Sequence, residues 1–248
     1  MNFSIKHWLV SMFIISTLLI GGCAADSATS NSPNNQTTAA PIAQTNGSQT
    51  SLARLEGKAT VLMVVKGKPI TIEVDGTHAP ITAGNFVDLV ERDVYDGLAF
   101  HRVVREPQPF VVQGGDPQGK DANFAVARMG TGGFIDEQGK RRYIPLEITP
   151  QGADSPIYSK TLKRAGVSKP PELQHTRGAV AMARSQAPDS ASSQFYFALA
   201  DLAFLDGDYA VFGYVTNGMD VVDEIQQGDR IESATVTDGA ENLKKPST

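Results

Sequence analysis

The chain has 248 residues, 41% of them hydrophobic and 20% charged, which is enough apolar material for one sizeable core or two small ones. A formal charge of -5 leaves no basic footprint for a polyanion and argues against nucleic acid as a partner. The single cysteine, Cys23, excludes an intrachain disulfide and a thiolate metal cluster.

The N-terminus has a short basic region around Lys6 and His7, an apolar run from Trp8 to Ile20, and small residues before Cys23. That pattern predicts a secretory signal over residues 1–22, since the run is shorter than the roughly 20 residues a membrane span needs. Ile20-Gly21-Gly22-Cys23 resembles the bacterial lipobox, which implies lipid on Cys23 and an extracytoplasmic domain anchored to a bacterial membrane. Apart from Cys23, Ile42 and Gly47, residues 23–51 are Ser, Asn, Thr, Gln, Ala and Pro with Asp26 the only charge. Such a segment buries too little to offset its ordering entropy and reads as a disordered tether.

From Leu52 the pattern becomes short β-branched runs broken by Gly and Pro, the mark of a sheet-rich domain, expected over 52–240 with a polar tail at 241–248. Ala59–Val65 and Pro69–Val74 flank Lys66-Gly67-Lys68 as an opening hairpin. Phe86, Leu89 and Val90 lie on one helical face, and Asp88, Glu91 and Arg92 on another, which predicts an amphipathic helix from Ile81 to about Arg92. Further strands are expected at Ala99–Val104, Phe110–Gln113, Ala179–Ala183, Gln194–Ala198, Val211–Val215 and Ile231–Thr237, with a second helix at Met219–Gln226. Many strands without βαβ alternation favour a mainly β fold, a closed antiparallel barrel.

Ordinary catalytic signatures are missing. Ser192-Ser193 lacks a nucleophile elbow, His7, His78, His101 and His175 form no metal-binding spacing, and Gly130-Thr131-Gly132-Gly133 reads as a turn rather than a phosphate loop. No metal or cofactor is expected. Three segments instead combine apolar side chains with a few polar ones: Phe100-His101-Arg102, Phe110 through Asp116, and Ser193-Gln194-Phe195-Tyr196. In a strand the neighbours His101 and Arg102 face opposite sides, so one points inward or into a cleft.

These segments, with Phe204-Leu205-Asp206-Gly207 and Val211-Phe212-Gly213, resemble the cyclophilin family from about Ala59 to Val236. The resemblance implies an eight-stranded antiparallel barrel capped by two helices, and a peptidyl-prolyl cis-trans isomerase acting on X-Pro segments of polypeptides, among them exported proteins. By position it implies Arg102 as the catalytic arginine and Gln113 as its partner. Substrate contacts fall to His101, Phe110, Val111, Ala183, Arg184, Gln194, Tyr196, Phe204, Leu205 and Tyr209. A module that holds Pro-containing segments without turnover is the other reading of the same groove, although such a module has no need of Arg102.

Departures from the family pattern carry their own expectations. Arg105–Pro109 makes a longer connection than the shortest members have, Val111 stands where methionine is common, Tyr196 where phenylalanine is, and Arg184 where asparagine often is. Residues 151–175 form a surface excursion of unassigned role. Phe204 replaces a tryptophan whose indole N–H commonly holds cyclosporin, and Tyr209 a frequent histidine, so weak cyclosporin binding is expected.

Overall fold

The computed structural model describes residues 51–246. The signal segment, Cys23 and the tether up to residue 50 lie outside the described residues. The strands, in chain order, are β1 (Arg54–Leu55), β2 (Lys58–Val65), β3 (Lys68–Asp75), β4 (Arg102–Val104), β5 (Val111–Gly114), β6 (Glu147–Ile148) and β7 (Ile157–Tyr158), then β8 (Ala179–Met182), β9 (Phe195–Ala198), β10 (Val211–Asn217), β11 (Ile231–Asp238) and β12 (Leu243–Lys244). Two α-helices, α1 (Pro80–Glu91) and α2 (Met219–Glu224), and five short 3-10 helices complete the regular elements among the described residues.

Alternation builds the first hairpin. Ala59, Val61, Met63 and Val65 of β2 and Ile70, Ile72 and Val74 of β3 face inward and are buried, while their neighbours are partly exposed. Lys66 and Gly67, with φ of 53° and 69°, form a two-residue turn of the type whose twist matches the flanking strands.

Eight strands make one antiparallel sheet in the order β11-β2-β3-β10-β8-β9-β5-β4. The segments leading into its outer strands, β4 and β11, meet around an Ala99–Arg230 bridge. There the Phe100 N–H donates to the Asp229 carbonyl (2.8 Å) and the Ile231 N–H to the Leu98 carbonyl (2.9 Å). The sheet is therefore a strongly curled, partly closed barrel, and the fully closed one expected from the sequence overstates it. The reason is that β4 has three residues, too few to carry a ladder along the seam.

α1 packs chiefly against β1, β11 and β12 and departs from the amphipathic reading. Residues Ile81 through Val90 are all buried, including Asp88, because later segments cover the polar side of the helix. Asp88 is held there by Arg92 (2.9 Å) and Arg142 (2.7 Å), the pairing a buried carboxylate requires. Asn85 Nδ2 donates to the Ser192 carbonyl (2.7 Å) and the Tyr95 hydroxyl to the Ser193 carbonyl (3.1 Å). Phe86 and Tyr95 pack on Phe195, with ring centroids 5.4 and 5.3 Å away. The core thus grips β9 from inside, and alternation sends Tyr196 to the outer surface.

Two features escaped the sequence. β1 pairs with β12 and Lys245 reaches Glu91 at 2.8 Å, so residues through Lys245 of the expected polar tail are bound to the domain. The 151–175 excursion contains β7, which pairs with β6. It carries Leu162 onto Leu146, Ile148 and Ala210 in a small apolar cluster of its own.

Candidate active site

The site lies on the outer face of β4, β5, β9 and β8. Register places Arg102 opposite Gln113, Gln113 opposite Tyr196, and Tyr196 opposite Ala181. Strands about 4.8 Å apart therefore set these side chains in one row. Beside the row is a second apolar cluster, separate from the interior core, in which Val111, Tyr196 and Val211 are buried and Phe110, Leu205, Ala183 and Tyr209 pack against them.

A chain of hydrogen bonds fixes the polar members. Arg102 Nη1 donates to Gln113 Oε1 over a long 3.4 Å, Gln113 Nε2 donates to Gln194 Oε1 at 3.1 Å, and Gln194 Nε2 donates to the Gly132 carbonyl at 2.8 Å. Each amide is thereby oriented with its oxygen toward the preceding donor. The Arg102 guanidinium lies 5.4 Å from the centre of the Phe110 ring. Phe204, 70% exposed, stacks on Phe110 with centroids 6.0 Å apart. The result is an apolar socket with a cation at its mouth and two amides along one edge.

A cleft of about 310 Å³ continues from Gln113 and Gln194 past Gly132, Tyr143 and Ala183 to Arg184. Arg184 closes it by folding back: Nε and Nη2 donate to the Asp208 carbonyl (3.0 and 2.6 Å), Nη1 donates to the Ser185 carbonyl (2.8 Å), and the guanidinium covers the Tyr209 ring at 4.6 Å. Its side chain is a wall of the groove more than a free contact.

His101 is placed differently from the expectation that it touches substrate. The alternation that turns Arg102 outward turns His101 inward, where it is buried beneath Gly130. Burial pushes its imidazole below the ordinary histidine range, against the opposing pull of Asp116. It supports the site from underneath.

Several contributors gave little signal in the sequence. Asp116, fully buried, accepts from the Gly130 N–H (2.6 Å), the Gly132 N–H (3.0 Å) and the Gln118 N–H (2.9 Å). The glycine-rich segment expected as a plain turn is thus clamped to the rim of the groove. Gly130 has φ of +106°, and any Cβ on Gly132 would collide with the Asp116 carboxylate. His175, also buried, bonds Asp206 Oδ1 through Nδ1 (2.7 Å) and the Tyr196 hydroxyl through Nε2 (3.0 Å). It fastens the loop of Phe204 and Leu205 to the pocket floor. Asp116 and Asp206 stood inside recognisable segments without a role; a lone His175 carried no pattern at all.

The family described as cyclophilin type peptidyl-prolyl cis-trans isomerase/CLD matches residues 60–245. The chain belongs to this family. A Synechocystis protein named as a thylakoid lumen peptidyl-prolyl cis-trans isomerase is 45% identical over 205 residues, covering 78% of this chain and 50% of that protein. Peptidyl-prolyl cis-trans isomerase CYP38, chloroplastic, of Arabidopsis thaliana is 42% identical over 212 residues, covering 78% of this chain and 45% of its own. The chain spans about half the length of these two relatives. A Brucella abortus protein named as a peptidyl-prolyl cis-trans isomerase is 34% identical, with 80% of this cyclophilin and 87% of that protein covered. Among solved structures, a cyclophilin type isomerase of Cryptosporidium parvum superposes with a TM-score of 0.53 at 22% identity, covering 72% of this chain and 97% of that one. At that identity the likeness bears on the fold alone.

Proposed function

We propose that this cyclophilin catalyses cis-trans isomerisation of X-Pro peptide bonds, with Arg102 as the group that acts on the reacting nitrogen. The observation that carries the reading is the Arg102–Gln113–Gln194 chain laid along the edge of an otherwise apolar socket. Rotation about a peptide C–N bond is opposed by resonance, with a barrier of about 18–20 kcal/mol. A catalyst need only favour the twisted state, in which the proline nitrogen becomes pyramidal and gains a lone pair. A guanidinium stays charged and offers several donors, so a donor from Arg102 to that lone pair forms only in the twisted state and lowers the barrier selectively. Gln113 holds the fork in place, Phe110, Val111, Tyr196 and Leu205 hold the ring, and the backbone at Ala183 and Arg184 receives the chain before it.

Exchange NMR on an Ala-Pro peptide separates catalysis from holding. Cross-peaks between the cis and trans alanine signals are expected with catalytic amounts of the protein. Line broadening without exchange would leave only a binding module.

The physiological setting is part of the same proposal. A signal over 1–22, lipid on Cys23 and a tether over 23–51 would present the isomerase domain to exported proteins outside the cytoplasm, and relatives named for the thylakoid lumen and chloroplast support an extracytoplasmic compartment. Cys23→Ala is expected to release the protein from membranes with kcat/KM unchanged. A variant that still sediments with membranes after a high-salt wash contradicts the lipid anchor.

Phe204 sets the expectation for inhibitors. It stands exposed on the socket rim and has no N–H to offer cyclosporin. A ligand group buried without its partner costs about 1–3 kcal/mol, one to two decades in affinity. Phe204→Trp is expected to tighten cyclosporin by roughly tenfold or more while changing kcat/KM far less. Nanomolar inhibition of the unmodified protein contradicts this role for Phe204.

A further inference from the structure

The 151–175 excursion builds a second cleft that the proline socket does not use. It measures about 850 Å³ and runs between the loop of Lys163 and Arg164 and the Ser185–Pro188 loop, with Arg184 and Tyr209 shared with the proline groove. Leu162, packed beneath Gly207 and bonded through its N–H to the Gly207 carbonyl (3.0 Å), pins the excursion there.

The charge of this cleft is the informative feature. Some cations of the domain are paired with carboxylates, as in Lys58–Glu73, Lys66–Asp229, Lys68–Glu224 and Arg177–Asp223, and others stand singly on the surface; what sets this cleft apart is that its cations are gathered in one concavity. Among the described residues Lys163 and Arg164 have no carboxylate partner, and Arg184 spends its donors on neutral carbonyls. Asp208 is the one acid lining the cleft, against three cations. In a chain of net charge -5, uncompensated cations gathered in a concave wall focus a positive potential on whatever lies beside the socket.

We propose that this cleft binds aspartate or glutamate side chains of the same polypeptide whose X-Pro bond occupies the groove, so that prolines flanked by acidic residues are preferred substrates. The proposal rests on the isomerase reading of the groove. An extended chain advances about 3.3 Å per residue, so a segment leaving the socket past Tyr209 reaches the cleft within a few residues.

The test compares kcat/KM for Ala-Pro peptides carrying paired Glu, Gln or Lys three to five residues from the proline on either side. On one side the Glu peptide is expected to exceed the Gln peptide by roughly three- to tenfold at low ionic strength, the scale of two exposed charge pairs, with the advantage shrinking in salt. In the double variant Lys163→Glu, Arg164→Glu the Glu-to-Gln ratio is expected to fall to one or below. A ratio of one in the unmodified protein, or a ratio that survives the double variant, overturns the proposal. If no peptide is turned over, equilibrium binding decides: charge-selective binding lost in the double variant keeps the cleft and discards catalysis, and unselective binding discards both. Anionic phosphatidylglycerol vesicles form the remaining arm. Vesicle binding that the double variant abolishes while peptide preference persists overturns the proposal in favour of a lipid-facing patch.

Discussion

Arg102→Ala is expected to lower kcat/KM by at least about tenfold, toward the roughly hundred- to thousandfold that losing one preorganised transition-state donor costs, and to leave thermal unfolding nearly unchanged. The two halves follow from the same geometry. Arg102 is exposed on a short edge strand, with one long bond to Gln113 and a face on Phe110, contacts worth only tenths of a kcal/mol at a solvated position. In the proposed mechanism its contribution comes only when the proline nitrogen turns pyramidal, so the loss is expected to fall on turnover. Arg102→Lys is expected to recover little, because an ammonium cannot donate to Gln113 and the substrate nitrogen in one fixed plane. Near-normal kcat/KM in both variants contradicts the role given to the guanidinium.

The second large effect is on stability. Asp116→Ala is expected to cost roughly 3–5 kcal/mol in denaturant unfolding, because it strands three backbone donors that one buried carboxylate satisfies, and charged acceptors are among the stronger ones. The damage also reaches the groove. Gly130 and Gly132 lose their clamp, and the Gly132 carbonyl is what holds Gln194, hence Gln113. Turnover is therefore expected to fall even below the temperature at which the variant unfolds. A change under about 1 kcal/mol contradicts the clamp.

The parts of this architecture that sequence conveys are those with a local period or a contiguous motif. The β2–β3 hairpin follows from alternation and a Lys-Gly turn, and the Arg102, Gln113 and Tyr196 segments carried their spacing with them; the structure then brings them together through strand register. What sequence hides is what depends on distant partners. β1 and β12 are two residues each and pair across nearly the whole domain, so neither has a pattern of its own. Asp88 looks like the wet side of a helix until Arg142, 54 residues on, is seen to cover it. His175 is silent because its partners, Asp206 and Tyr196, arrive from two other elements. The excursion has no periodic signal either, and its place beside Gly207 is set by the packing of Leu162 on Leu146, Ile148 and Ala210 and by the β6–β7 pair, none of which has a local pattern.

The most direct test of the central claim is a protease-coupled assay on a peptide with an Ala-Pro bond ahead of the cleavage site. The protein is expected to accelerate the slow phase, limited by cis-to-trans isomerisation, in proportion to its concentration, while the amplitude stays fixed because the cis fraction in the peptide is unaltered. A slow phase whose rate is indifferent to added protein, at concentrations where NMR shows the peptide bound in the Phe110–Tyr196 socket, would contradict it.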